Sequence, residues 1–568
     1  MNLHIKNHNN FKRLFFVTLL MVLPECVSSQ NQIPTTLQQT IAFSNISGLH
    51  PKELCEVSKY NQFGYGNWTL GPGLMSDLRT DLMPKDYVAS KSKIKKLLSF
   101  FAITDIHITD KESPSQMIFL QQLSNLSAQL TSAYSPVMLY TTHVLDAAIQ
   151  TINALHKQNP IDFGISLGDA SNSTQHNELR WYIDVLDGNL IIPSSGAHIG
   201  ADTIDYQKPY KAAGLDPEIP WYQVIGNHDH FWLGTLVVDD FLRQSYTSDT
   251  VLAIGDLIEN SDNLYSPDYY VGVIDGSTPF GNIIDKGLYG FFSQPPKVIA
   301  DPDRRSLSQA EWMNEFFNTS SQPVGHGFQL TDAKNGFANY SFVPKSTVPI
   351  KVIVLDDTQR DDDDSLNFHS KGFLDKERFS WLKKELDEGQ AAGQLMIIAA
   401  HIPIGVEKPN SECGWYDHAT NGITQAELLN ELQSHTNLIL WIAGHRHCNT
   451  IKAFQFPDHP ENSFWQVETS SLRDFPQQFR MFDIYLNSDY TISIITINVD
   501  PVIQDEKPAA ISRSFAVATQ QIVQNTVIYQ NPSTLPDPTI KPMPTGSYNA
   551  ELVKQLSPDM KAKMQQLY

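Results

Sequence analysis

The chain is poor in the groups that would staple, anchor or polyanion-target it. Four cysteines in 568 residues are too few for a disulfide scaffold. Basic residues are outnumbered, 41 Lys and Arg against 62 Asp and Glu, a formal charge of −21. A surface of that sign repels polyanions at long range, which argues against duplex nucleic acid or an anionic membrane as partner. No apolar run reaches the ~20 residues needed to span a bilayer, so a stable membrane anchor is not expected. No repeat of fixed period is visible, which sets aside solenoids and propellers. What remains, 41% hydrophobic residues with 21 Tyr, 29 Phe and 9 Trp, is the composition of a folded globular protein with a sizeable core.

The longest apolar run is the ten residues Leu14–Leu23. It follows Lys6, Lys12 and Arg13 and precedes Pro24 and the small residues Val27, Ser28 and Ser29. This reads as a secretory signal peptide over residues 1–29, giving a secreted or periplasmic protein. Its removal takes away Lys6, Lys12, Arg13 and Glu25 and leaves 38 − 61 = −23. Residues 30–98 are rich in Gly, Pro and Asn without a sustained period, and are expected to wrap a domain rather than form one.

From Leu97 the pattern changes to apolar runs that each end in a polar cluster. Leu98–Ile103 leads to Asp105 and His107, Asp162–Leu167 to Gly168-Asp169, and Trp221–Ile225 to Gly226-Asn227-His228-Asp229. Gln394–Ala400 leads to His401, and Leu438–Ala443 to Gly444-His445-Arg446-His447. Continuous apolar runs of this length suit strands buried on both faces. Helical spacing lies between them, at Val144, Ala148, Ile149, Ile152 and Leu155, and again at Phe379, Leu382 and Leu386, where Gly389 marks a stop. The alternation predicts an α/β fold over 99–500, with function at the carboxyl ends of its strands. Residues 231–349 break the alternation and read as an insertion, and 501–568 as a Pro-rich surface extension with a short helix near Ser514–Val523.

One Asp-x-His or Gly-Asp is weak evidence, but five such clusters in order at strand ends are not explained by turns and caps. Together they supply Asp105, His107, Asp169, Asn227, His401, His445 and His447, oxygen and nitrogen donors without a thiolate. That set suits transition metals such as Mn, Fe or Zn rather than Ca or a Cys-bound structural Zn. It is too large for one tetrahedral ion and suffices for two if a carboxylate bridges, the ions of dinuclear hydrolases lying roughly 3.5–4 Å apart. Two divalent ions, two carboxylates and a bridging hydroxide sum to 4 − 2 − 1 = +1. Such a site attracts a small phosphorylated substrate despite the acidic surface, and generates its nucleophile from bound water.

The ordered pattern Asp-x-His, Gly-Asp, Gly-Asn-His-Asp, His, Gly-His-x-His resembles the calcineurin-like metallophosphoesterase superfamily over about residues 99–500. The runs Phe100–Pro114 and Ser471–Pro476 resemble a secreted bacterial branch of it. The resemblance implies an α/β architecture with a four-layer β-sandwich flanked by helices. It places Asp105, His107, Asp169 and His447 on one ion and Asp169, Asn227, His401 and His445 on the other. His228 would be the general acid toward the leaving oxygen, with Asp229 orienting it. Purple acid phosphatases carry Asp-x-Gly where His107 stands here, and a two-domain 5′-nucleotidase needs more chain after Asp500 than is present.

The function expected is hydrolysis of a phosphomonoester or phosphodiester. A nuclease would need a basic groove that the sequence does not offer. A protein that holds a phosphorylated ligand without turnover would have no use for His228. Arg473 would contact phosphate or pair with a surface acid, Arg446 would point away from the metals, and Asp361–Asp364 reads as a solvated run. His230, His326 and His369 have no assignment. Cys413 and Cys448 neighbour converging ligands and are expected to pair, leaving Cys55. Phe231, Trp232, Tyr289, Phe291, Phe292 and Trp312 are expected either to wall a substrate pocket or to form the insertion's own small core.

Overall fold

Three segments, Ile350–Val354, Leu395–Ala399 and Leu438–Ala443, are buried at every residue and lie parallel, as runs without a polar face must. They sit inside a six-stranded sheet in the order Tyr340–Phe342, Ile350–Val354, Leu395–Ala399, Leu438–Ala443, Phe464–Glu468, Thr450–Phe454. Only the two edge strands run antiparallel to their neighbours. A seven-stranded sheet has the order Asp77–Arg79, Asn549–Lys554, Ile492–Val499, Phe479–Asn487, Lys93–Ile103, Phe163–Ser166, Trp221–Gln223. Its last three strands are again parallel. The structure, a computed structural model, describes residues 32–44, 46, 56–89, 92–116, 118, 134–252, 268–270, 272–284, 287–289, 295–363, 368–411, 413–417, 420–503, 507–524 and 548–568. The leader 1–29, Cys55, Asp364, Phe291, Phe292 and the Tyr289 side chain lie outside the described residues.

Alternation along one strand places the layers. Val352 and Val354 join the core that holds Phe100, Ile165 and Phe482 of the other sheet. Ile353 and Leu355, pointing the opposite way, join Leu382 and Leu386 of the helix Lys376–Ala391 and Leu428 and Leu432 of the helix Gln425–Leu432. The helices Thr141–Gln158 and His176–Asp187 contribute Leu145, Ile149, Ile152, Leu179, Tyr182 and Ile183 to the first core. Two mixed sheets flanked by helices are the expected α/β architecture. Each buried Leu or Ile in these layers contributes about 1.5–3 kcal/mol relative to an exposed one.

Gly389 does not end its helix, which continues to Ala391. Its missing Cβ instead makes room for Met396, whose Sδ would collide with one. The 501–568 segment is more regular than its prolines suggest. The helix Pro508–Gln524 covers the expected 514–523 stretch, and Asn549–Lys554 is an internal strand of the larger sheet. In 231–349, Trp312 is buried against Phe316 and Phe328 and Trp232 packs in a second core cluster, so these two rings are core rather than pocket wall, while Phe231 is buried between His230 and His369.

Candidate metal centre

Five parallel strands of the two sheets end at the same place. Lys93–Ile103 delivers Asp105 and His107, Phe163–Ser166 delivers Asp169, and Trp221–Gln223 delivers a single 3₁₀ turn, Asn227–Asp229. Leu395–Ala399 delivers His401, and Leu438–Ala443 delivers His445 and His447. Five of these residues, Asp105, His107, Asp169, His445 and His447, hold φ between 46° and 75°. Non-glycine residues in that left-handed region carry strain that a surrounding structure must hold in place, and such strain gathers at functional sites. The glycines of the motifs are there for space. A Cβ on Gly226 would overlap Asp169 Oδ1, and one on Gly444 would overlap Thr104 Oγ1.

The side chains converge as two groups, Asp105 with His107 and His447, and Asp169 with His401 and His445. His107 Nε2 is 3.0 Å from His447 Nε2, and His447 Nε2 is 3.4 Å from Asp105 Oδ1. In the second group His401 Nε2 is 3.2 Å from Asp169 Oδ2 and 3.0 Å from Asn227 Oδ1, and His445 Nδ1 is 3.2 Å from the same amide oxygen. Asp169 Oδ2 also lies 3.6 Å from His107 Nε2, so one carboxylate faces both groups. Ligands bonded at about 2.1 Å to one ion stand about 3.0 Å apart at right angles and about 3.4 Å apart at the tetrahedral angle. The observed spacings match. The donor set therefore fits two transition ions sharing Asp169, and the buried His107 Nδ1 and His445 Nε2 have no hydrogen-bond partner among the described residues.

Electrostatics in the protein alone point the same way. Burial opposes a proton on His401, yet the adjacent Asp169 carboxylate prevails and pushes it up to about 10. His447 is likewise pushed up to about 10 against burial, by Asp105 and Asp474. Burial, reinforced by the protonated His401, pushes His445 down to about 3, and burial together with His228 holds His107 well below the ordinary range. Asp169 stays well below the usual carboxylate range despite burial, because His401 and His228 face it. The pocket draws in positive charge, as protons where nothing better is present.

No family model and no curated protein matches the chain. Among solved structures, a dimetal phosphatase from Danio rerio aligns with a TM-score of 0.34 at 11% identity, over 72% of this chain and 98% of that one. A likeness of that degree leaves the chemistry of the site to its own residues.

All seven candidate ligands lie in this cluster, and His228 is beside them, with His107, Asp169 and His228 within one ligand-sized group. His228 Nδ1 donates to the Asn172 carbonyl at 2.6 Å, and its backbone N–H donates to Asp169 Oδ1 at 2.9 Å. Burial lowers its pKa. Asp229 does not orient it. Its carboxylate accepts from the backbone N–H of Asp169 and Gly226 and from the N–H and hydroxyl of Ser171, at 2.9–3.1 Å. It braces two motif loops against each other, and burial pushes its own pKa up to about 7.

Arg473 is buried, not a surface ion-pair partner, and donates to Asn172 Oδ1 at 2.8 Å. Arg446 does point away, forking onto Glu468 and reaching Glu407. Of the unassigned histidines, His326 stacks on Trp221 at 3.5 Å, and His230 contacts Thr358 Oγ1 at 2.9 Å. His369 lies 3.5 Å from Asp363 Oδ1, whose side chain is 2% exposed, while Asp361 and Asp362 of the same acidic run are solvated as expected. No disulfide joins Cys413 to Cys448, whose Sγ lies 3.6 Å from Glu468 Oε1 instead.

Sequence reasoning missed two acidic supports. Asp474 Oδ2 accepts from His447 Nδ1 at 2.6 Å, which fixes the ring with Nε2 toward Asp105. Asp357, at the end of Ile350–Val354, accepts from the backbone N–H of His401 and Ile402 at 3.1 Å, and burial pushes it up to about 7. Asp357 follows an apolar run as the ligands do, and that was a usable signal. Asp474 lies within the run Ser471–Pro476, but 27 residues from its histidine, and nothing in that run tied it to His447.

Proposed function

We propose that the protein is a metallophosphoesterase of the calcineurin-like type, holding two divalent transition ions, Mn, Fe or Zn, and hydrolysing a small phosphorylated substrate. The observation that carries this reading is the pair of histidine and aspartate groups meeting at Asp169, with spacings of cis ligands on two neighbouring ions. Asp105, His107, Asp169 and His447 hold one ion, and Asp169, Asn227, His401 and His445 the other. When bound, the ions supply Lewis acidity toward phosphoryl oxygens and acidify water.

The chain's own residues do the rest. Asp169 sets the two halves at a fixed separation. Asp474 keeps the His447 proton on Nδ1, so that Nε2 offers a lone pair. The Asn172 carbonyl can only accept, so His228 Nδ1 carries a proton and Nε2 is the atom left to serve the leaving oxygen. An anionic phosphoryl group beside His228 supplies the charge that keeps it protonated until transfer. Secretion after removal of residues 1–29 belongs to the same reading.

Elemental analysis and a turnover assay of the metal-loaded protein on mono- and diester substrates test it. Two ions per chain with multiple turnovers is the expected result. Two ions with ligand retention and no turnover makes it a binding protein, and one ion or none overturns the dinuclear centre.

A further inference from the structure

The loop 469–478 follows the last parallel strand of the six-stranded sheet and carries none of the seven ligands. Two consecutive residues in it reach two different histidines of the site, one directly and one through Asn172. Asp474 holds His447. Arg473, 1% exposed, donates from Nη1 to Asn172 Oδ1, and Asn172 is the residue whose carbonyl holds His228. We propose that Arg473 is a positioning residue for His228, acting through Asn172; this rests on the reading of His228 as proton donor.

Asn172 is fixed at every polar atom. Its N–H donates to Ile108 O at 3.0 Å and to Glu178 Oε2 at 3.1 Å, its Nδ2 donates to Gln116 Oε1 at 3.2 Å, and its Oδ1 takes the Arg473 bond. The following peptide is held as well, Ser173 N–H donating to Glu178 Oε2 at 2.8 Å. The carbonyl between these anchors cannot swing, so the imidazole it accepts from cannot turn over. A proton donor misplaced by an ångström loses most of its effect, which is what such bracing prevents. Arg473 is the one member of this bracket that comes from the other sheet's loops. It therefore sets the depth of His228 relative to the His447 half, a job the ligand motifs alone do not perform. A Lys in its place has no planar fork to reach the amide oxygen while the backbone N–H stays on Asp105 O at 3.3 Å.

The test compares the holoprotein with Arg473→Met, Asn172→Ala and Asn172→Asp, on an alkyl and an aryl phosphate ester, with metal content measured on each sample. Arg473→Met and Asn172→Ala should keep both ions, hold KM near its original value and lower kcat on the alkyl ester by about tenfold, a fraction of what a general acid supplies. The aryl ester, whose oxygen leaves without a proton, should lose markedly less. Asn172→Asp keeps the acceptor oxygen and should lose less than Asn172→Ala. A crystal structure of Arg473→Met should show the His228 to Asn172 carbonyl bond lengthened or broken. A KM rise shared by both esters would make Arg473 a direct phosphoryl contact and overturn the proposal. So would loss of metal, an equal kcat loss on both esters, or a His228 ring that stays in place. If the unaltered holoprotein hydrolyses neither ester, the phosphoesterase reading fails, and the crystal structure still decides whether Arg473 positions the ring.

Discussion

Two buried polar regions lie a few residues apart along the same loop, and they are built on opposite plans. Asp110 meets its complements inside the protein: Oδ2 takes Arg304 Nε at 3.1 Å and Asn177 Nδ2 at 2.7 Å, and Oδ1 takes Ser195 Oγ at 2.8 Å. Three residues earlier, at His107, nitrogen faces nitrogen at 3.0 Å, and five residues of the cluster sit at positive φ. The first region is complete as a piece of protein. In the second, lone-pair groups of like kind face one another, and a cation between them would complete the arrangement. Burial alone does not mark a site; a buried arrangement that cannot satisfy itself does.

The largest effect is expected where the second region is cut at its centre. Asp169→Ala should lose both ions by elemental analysis, and its turnover should fall to that of metal-stripped protein. A single ion retained would show that the two halves do not share a carboxylate.

Cutting the first region should do something different in kind. Arg304→Ala leaves the Asp110 carboxylate buried without its cation and should cost about 3–5 kcal/mol in denaturant unfolding. Metal content should not change. Parallel loss of metal would mean that the two regions are one unit.

Asp474→Asn sharpens the contrast at a smaller scale. Removing the carboxylate that fixes His447 should weaken metal binding about 10- to 100-fold, the usual cost of losing such support, on one ion of the two. Chelator titration resolving two affinities would check it, and equal weakening of both would count against the assigned halves.

The smallest effect is a slope. In metal-free protein His401 and His447 keep their protons up to about 10, so each incoming ion must displace one. Metal affinity should therefore rise with pH, by about tenfold per unit for each proton displaced, up to that limit. For the metal-free fold the sign reverses. A raised histidine pKa contributes stability that is whole below the ordinary value near 6.5 and is lost as pH rises through about 10. Thermal unfolding across that window should show the metal-free protein weakening.

The parts legible in the sequence were those where one strand brings its own chemistry. Leu438–Ala443 is apolar on both faces, and the His445 and His447 it leads to follow within four residues, so pattern and placement could be read together. The same holds for Asp105, Asp169, Asn227 and His401. What escaped depends on partners far along the chain. Asp229 looked like an orienting carboxylate because it adjoins His228, but adjacent residues on a tight turn point different ways, and its oxygens reach Ser171 instead. Cys413 and Cys448 adjoin ligands that converge, yet converging ligands do not carry their neighbours with them. Trp312 belongs to a stretch that reads as an insertion but lends its ring to the main core. Asn549–Lys554 is short and follows a run of prolines, and only its neighbours in the sheet make it a strand.

That strand has a consequence for how the molecule is made. Asp77–Arg79 has one neighbour in its sheet, Asn549–Lys554, more than four hundred residues further on. A chain leaving the ribosome or a translocation pore amino end first exposes the early strand long before its mate exists. Closing a loop of that length is slow, and pairing between such distant segments is among the last events of folding. The sheet edge is thus sealed by a segment made long after the strand it pairs with. Until it arrives, Ile492–Val499 presents an open edge, the stretch at which an assembly factor or a like chain would have its opportunity.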